Sequence, residues 1–337
     1  MRSAGGRWKS RSWPSDDEAP IDSAAQDRPT PVGDVGLSNA VRDTQDDGGT
    51  AAPYTPALPS GRYINLGARG RTFVREVAGP VGAPTLLLLH GWTASADLNW
   101  FPAFERLGRS FSVVAMDHRG HGRGIRSRRR FRLADCAHDA ADLVDRLGTG
   151  PVIAVGYSMG GPVAQLLWRD HPEAVGGLVL CATARTFAVS GPERAAATAL
   201  ASLAMASRAT PGVARRALAE HFIGSRHERR SIDAWVTHEM HRNDWQSVLE
   251  AGTALGRFDS RRWIGTVDVP TAVVVTMGDR LVTPARQIAL ARSVPGATLH
   301  PVQADHSACV SAPDRFVPVL LDACFSVTAR MRAEVGT

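Results

Sequence analysis

The chain has 337 residues, 44% of them hydrophobic, enough to bury a sizeable core and a pocket. Its formal charge is +6, but the basic residues are scattered and all but Lys9 of the 39 are arginine. No recognition motif with interleaved aromatics accompanies them, so no nucleic-acid partner is expected.

Four cysteines (Cys136, Cys181, Cys309, Cys324) lie far apart without a C-x-x-C pair, which argues for buried thiols rather than a zinc ribbon or redox motif. The first twenty residues lack the apolar segment of a secretory signal, and no run approaches the ~18 apolar residues of a membrane span. A soluble cytoplasmic protein without stable membrane insertion is expected.

Residues 1 to about 60 are rich in Pro, Gly, Asp and Ser and show no periodicity of 2 or 3.6. Such a segment buries too little to offset its ordering entropy, and it reads as a disordered tail, either a dispensable extension or an interaction arm. From about residue 60, short apolar runs alternate with helical patterns, as in βαβ units with a mostly parallel sheet. Arg62 to Leu66 and Thr72 to Val77 read as an opening hairpin. The strands that follow are Thr85 to Leu89, Ser112 to Met116, Val152 to Val155, Gly177 to Leu180, Thr271 to Val275 and Ala297 to Val302. Helical patterns fall at Trp100 to Leu107, Leu133 to Leu147, Gly161 to Asp170, Pro284 to Ser293 and Pro313 to Thr328. The central strands read as continuous apolar runs, as expected where helices cover both faces of a sheet.

One segment breaks the alternation. Residues 185–263 hold no convincing strand, only helical stretches at Glu193 to Arg208, Val213 to Phe222, Ser231 to Asp244 and Trp245 to Gly256. They read as a helical cap inserted into a core formed by residues 61–184 and 264–337.

In an open α/β sheet the ligand crevice lies beyond the C-terminal ends of the strands, so reactive residues should follow strands directly. Ser158 does, within GYSMGG. A serine on a sharp strand-to-helix turn is strained, and the chain two residues before and after it passes close together, which favours the small Gly156 and Gly160. Pro162 falls in the first helical turn, where a missing N–H costs nothing.

A serine nucleophile needs a base, and the base needs an orienting acceptor. His306 follows the last strand. Asp279 follows the strand before it, and the interval between them fits one crossover to a neighbouring parallel strand. Ser158, Asp279 and His306 are therefore the candidate catalytic residues, ahead of His300 inside a strand, Asp305 and Asp117. The backbone N–H groups of Met159 and of Trp92, which follows Gly91, are the candidate oxyanion hole. Trp92 and Tyr157 are the candidate substrate-binding residues.

The segments HGW at 90–92, DHRGHG at 117–122, GYSMGG at 156–161, Gly278-Asp279 and Asp305-His306, in that order, resemble the α/β-hydrolase superfamily from about residue 62 to the C-terminus. Within it, the elbow and the DHRGHG loop are similar to those of carboxylesterases, enol-lactonases and cofactor-free perhydrolases. The resemblance implies an α/β-hydrolase fold: an eight-stranded, mostly parallel sheet in the order 1-2-4-3-5-6-7-8, helices on both faces, and a helical cap after strand 6. Trp92 departs from the proline typical of perhydrolases. Ser158 stands where dehalogenases and epoxide hydrolases carry aspartate.

Arg123 to Arg132 holds six arginines in ten positions and reads as a solvated loop rather than an anion site. His118 and His121 flank turn glycines and read as shaping that loop. His238 and His241 are spaced i, i+3, unlike the i, i+4 pair of H-E-x-x-H, so no metal is implied. Trp235, Trp245 and Met205 read equally as acyl-pocket lining or cap core.

The expected function is hydrolysis of carboxylic esters with an apolar acyl or alcohol portion, through an acyl-enzyme on Ser158 and without a cofactor. Carbon–carbon bond hydrolysis, acyl transfer and perhydrolysis use the same groups. A non-catalytic binding protein of the same fold is the alternative from another class. Spacing says nothing of oligomeric state.

Overall fold

The computed structural model describes residues 55–188, 190–209 and 231–335. All of them lie in one compact unit, Ala51–Thr337. Most of the expected tail and the expected helix at Val213 to Phe222 lie outside the described residues.

Among the described residues, eight strands form one sheet: β1 (Gly61–Asn65), β2 (Arg71–Val77), β3 (Thr85–Leu89), β4 (Ser112–Met116), β5 (Val152–Tyr157), β6 (Val175–Cys181), β7 (Thr271–Thr276) and β8 (Thr298–Val302). Their spatial order is β1-β2-β4-β3-β5-β6-β7-β8, as the resemblance implies. The first two strands pair antiparallel with each other and β2 with β4, while β4 through β8 run parallel.

The apolar runs are continuous because both faces of the sheet are covered. Leu87 and Leu89 of β3 enter one core with Val114, Met116 and Ala154. Leu86 and Leu88 enter the other with Val113, Ala115, Ile153 and Val155. Alternate side chains of a strand point to opposite faces, so one tetraleucine feeds both layers. At the edge, β8 carries Pro301, where a missing N–H costs no ladder bond on the outer side.

Three boundaries depart from expectation. The helix expected over Trp100 to Leu107 is two short helices, Ala96–Trp100 and Phe104–Gly108. Pro102 separates them, since its ring clashes with the carbonyl four residues earlier. The last helix runs to Val335, beyond Thr328. A further short helix, Ala308–Ser311, precedes it.

Between β6 and β7 lie the helices Gly191–Ala209, Ser231–His241 and Trp245–Arg257, with no strand among the described residues of the insert. The first and third pack closely at glycines: a Cβ on Gly252 would lie 2.4 Å from Leu200, and one on Gly256 would lie 2.7 Å from Ala197.

The turn between β5 and the helix Gly160–Asp170 is the tightest approach in the fold. A Cβ on Gly156 would fall 2.4 Å from the Gly160 carbonyl oxygen, and one on Gly160 would fall 2.0 Å from the Leu89 oxygen of β3. Both obstacles are backbone and cannot swing aside. Gly160→Ala should therefore destabilise the protein by about 1–3 kcal/mol, the usual cost of overpacking. Urea unfolding of the two proteins measures this, and an unchanged midpoint would show that the turn relaxes freely.

Candidate active site

Ser158 occupies the turn with φ +50°, a left-handed conformation uncommon for a residue with a Cβ and worth on the order of 1–3 kcal/mol of strain. The surroundings hold it there. Its N–H donates to the Cys181 carbonyl at 2.9 Å, prolonging the β5–β6 ladder, and its own carbonyl accepts from the Thr183 hydroxyl at 2.8 Å. The hydroxyl is thereby turned above the sheet.

The loops after β7 and β8 bring the other two groups to it. The Ser158 hydroxyl lies 3.0 Å from His306 Nε2, and His306 Nδ1 lies 2.7 Å from Asp279 Oδ2. With Nδ1–H donating to the carboxylate, Nε2 is left to accept the serine proton. Asp279 is fastened on every side. Its Oδ1 accepts from the N–H groups of Leu281 and Val282 at 2.8 and 2.9 Å, and its Oδ2 from the Thr276 hydroxyl at 2.9 Å. Gln287, which sequence reasoning missed, donates to the same oxygen at 3.2 Å and accepts from the Thr276 N–H at 3.0 Å. Burial alone would raise the Asp279 carboxyl, but the bonds from His306, Val282 and Thr276 hold it below the ordinary carboxylate range.

The weaker candidates are engaged elsewhere. Asp305 turns its carboxylate to Ser307 and Ser311. His300 bonds Thr298 within its strand. Asp117 accepts from the N–H groups of Ala96 and Arg123.

Met159 is the N-cap of the helix Gly160–Asp170, and Trp92 follows Gly91 in the turn after β3. A Cβ built on Gly91 would lie 3.5 Å from the Cβ of Ser158, so that turn runs alongside the serine. Among the described residues, no acceptor is hydrogen-bonded to the N–H of Trp92 or Met159. The turn itself is fixed by Asn99, whose Oδ1 accepts from the Gly91 N–H at 2.9 Å.

Trp92 and Tyr157, expected to contact substrate, part company. Trp92 is 38% exposed; its indole N–H donates to the Val248 carbonyl at 2.8 Å and its ring lies over Gly252, so it forms a wall between the turn and the insert. Tyr157 is buried in the core under the site, in edge contact with Trp100 and Phe316. Its hydroxyl donates to the His306 carbonyl at 2.8 Å. Strand parity explains this placement: Tyr157 shares a face with Ile153 and Val155, and it supports the histidine loop from below.

Below the turn lie three buried imidazoles. His90 donates from Nδ1 to the Gly91 carbonyl at 2.8 Å and accepts at Nε2 from the His118 N–H at 2.9 Å. Its ring centroid lies 4.3 Å from that of His118 and 5.5 Å from that of His121, both pairs tilted. Burial pushes His90 down to about 4, His121 to about 3 and His118 well below the ordinary histidine value. All three are neutral near pH 7. No group of three or more ligands able to hold a metal occurs among the described residues, and His238 pairs with Arg242.

The arginine-rich loop is not uniformly solvated. Arg128, Arg129, Arg130 and Arg132 are exposed, but Arg123 turns inward over the Phe73 ring at 3.7 Å and pairs with Asp97. Arg75 grips the same carboxylate with two bonds of 2.8 Å. Burial would raise Asp97; the two guanidiniums hold it down. No local motif announces this network, because its members come from three separate segments. The four cysteines are free and buried.

The family model described as the alpha/beta hydrolase fold matches residues 84–313. The chain is 27% identical over 260 residues to the poly(3-hydroxyalkanoate) depolymerase of Ectopseudomonas oleovorans, a match covering 74% of this chain and 87% of that protein. It is 30% identical over 127 residues to epoxide hydrolase 4 of Homo sapiens, covering 37% of this chain and 35% of that one. The chain spans only 35 to 40% of the length of the curated relatives that it matches at 30% identity or more. In fold it is similar to a thermophilic esterase from Thermogutta terrifontis, with a TM-score of 0.63 and 23% identity over 80% of this chain and 99% of that one.

The neutral imidazoles have a consequence for stability. The unfolded chain takes up a proton on each histidine as pH falls through about 6.5, while folded His90 resists until about 4, so that contribution is lost on acidification. Each such group is worth on the order of 2 kcal/mol between pH 7 and 5. Asp117 and Asp139, which burial raises, run the other way. His118 isolates the effect, because neither of its ring nitrogens has a hydrogen-bond partner in the structure. His118→Phe should flatten the fall in urea stability from pH 7 to pH 5; an unchanged slope would exclude a neutral buried His118.

Proposed function

Because this chain belongs to the alpha/beta hydrolase fold family, we propose that it is a serine hydrolase cleaving carboxylic esters. The observation that carries this reading is the hydrogen-bond chain from Ser158 through His306 to Asp279. His306 Nε2 takes the hydroxyl proton as Ser158 Oγ bonds to the substrate carbonyl carbon. The carbonyl oxygen, now an anion, is met by the N–H groups of Trp92 and Met159. As the carbon–oxygen bond to the leaving alcohol breaks, His306 returns the proton to that oxygen, and the acyl group remains on Ser158. Water repeats the sequence: His306 removes its proton, the acid leaves, and the serine is restored. Each step is a proton transfer or a carbonyl addition, so no cofactor enters.

The nucleophile's identity separates this chemistry from epoxide opening. Attack by a serine oxygen on an epoxide carbon would leave an ether, which water cannot release, whereas attack on a carbonyl leaves a hydrolysable ester. Likeness to an epoxide hydrolase over a third of the chain thus supports shared architecture, not shared chemistry. The depolymerase match, the longest of those described, concerns a protein named for a polyester. The acyl or alcohol portion expected here is apolar.

Purified protein should hydrolyse nitrophenyl esters and be labelled by a fluorophosphonate at Ser158, and Ser158→Ala should abolish both. Asp279→Asn should lower kcat about 10³- to 10⁴-fold, because the histidine tautomer is no longer held. Steady-state kinetics on a panel of esters, epoxides, carbamates and dienoic diketones, with and without an alcohol acceptor, reads out the reaction class. Absence of both labelling and ester turnover would leave a non-catalytic binder of this fold.

A further inference from the structure

We propose that Asn243, supplied by the helical insert, is a positioning residue: its side-chain amide holds the turn that aims the Trp92 N–H at the site. The inference rests on the acyl-transfer reading above.

Gly91 to Ala94 form a four-residue turn closed by the Ala94 N–H on the Gly91 carbonyl at 3.4 Å. Its third residue, Thr93, has φ +65°. Turns with a left-handed third position normally place glycine there, and a β-branched residue is a marked outlier. Residue preference does not produce this conformation, so outside contacts must impose it.

Two are present. The Thr93 hydroxyl donates to the Trp92 carbonyl at 2.6 Å, a bond within the turn itself. The second comes from the insert: Asn243 Nδ2 donates to the Thr93 carbonyl at 2.7 Å while its Oδ1 accepts from the Gly122 N–H at 2.8 Å. These partners have opposite polarity, so only one orientation of the amide satisfies both. Asn243 is buried and sits between the helices Ser231–His241 and Trp245–Arg257. It therefore ties the turn after β3 to the loop after β4.

With the amide gone, the Thr93 carbonyl loses its outside partner and the residue is free to relax to negative φ. The two preceding peptides, Trp92–Thr93 and Gly91–Trp92, then rotate, and the Trp92 N–H swings away from Ser158. Asn243 also helps staple the insert to the core, but that role is shared with the bond from Ser95 to Glu239 at 3.1 Å and with the Asp244 N–H on Gly120 at 2.9 Å. Only the Asn243 bond reaches the carbonyl next to Trp92.

The test uses the full chain as wild type, Asn243→Ala, Asn243→Asp, Thr93→Gly, and the Thr93→Gly/Asn243→Ala double variant. Readouts are kcat and KM on nitrophenyl butyrate, affinity for an alkyl boronic acid that forms a tetrahedral adduct with the serine, and a melting curve. Asn243→Ala should lower kcat about 10- to 100-fold with KM nearly unchanged, and weaken the boronic acid by a similar factor, as for a displaced oxyanion donor. Asn243→Asp keeps the acceptor for Gly122 but loses the donor for Thr93, so it should be impaired at least as much. Glycine adopts the left-handed turn without strain, so in the Thr93→Gly background the loss on Asn243→Ala should shrink several-fold.

Wild-type kcat in Asn243→Asp, a loss confined to KM, or equal losses in both backgrounds would each overturn the proposal. If Asn243→Ala does not fold, the nearly isosteric Asn243→Asp carries the comparison alone. A wild type without ester turnover would sink the acyl-transfer reading and this proposal together; an active wild type with indifferent variants would sink the proposal only.

Discussion

The backbone at Ser158 is the constraint on which the rest depends. A serine at φ +50° is held out of its preferred conformation by a ladder bond on one side and a threonine hydroxyl on the other. Those bonds persist only while the helix Gly160–Asp170 starts within van der Waals distance of β3 and β5, which the missing side chains at Gly156 and Gly160 permit. Strain of this kind survives where its surroundings over-determine it. Here the surroundings are a buried part of the sheet, with β3, β5 and β6 packed on both faces.

Around that point the fold spends its polar groups on holding loops still. Asp279 is gripped by two backbone N–H groups, a threonine and a glutamine, and the His306 loop by the Tyr157 hydroxyl. A neutral His90 joins the loops after β3 and β4. In a low-dielectric interior each such bond is stronger than in water, and each orphaned group would be costly. The result is a set of loop tips with little freedom of their own, suited to chemistry that tolerates only small errors of position.

The charged network beside the site, Arg75, Arg123 and Asp97, obeys the same logic at a higher cost. Removing two guanidiniums and a carboxylate from water is expensive, and the pairing offsets that cost only when geometry is good. The bidentate grip of Arg75 meets that condition. The network fixes the Ala96–Trp100 helix against β2. Nearby, Glu239 and Asn243 of the insert attach to Ser95 and Thr93, so the insert and the turn after β3 share anchors.

Much of this was legible in the residue order. Strand and helix identity followed from periodicity, the elbow from two glycines and a serine after an apolar run, and the partners of Ser158 from their place after β7 and β8, because parallel topology puts strand C-termini at one rim. The period-2 rule by itself assigns Tyr157 to the core face with Ile153 and Val155. Pro102 likewise announced a helix break that periodicity masked.

What the sequence determined by itself is local: which runs are strands, where glycine must stand, and which side chains leave the ends of strands. Tertiary structure alone decided that Arg123 of an arginine-rich loop turns inward, that Gln287 braces Asp279, and that an amide of the insert reaches the turn at Thr93. Those contacts join residues far apart in the chain. Their energies depend on burial and on partners that exist only once separate segments are packed together, and no periodicity or spacing encodes that.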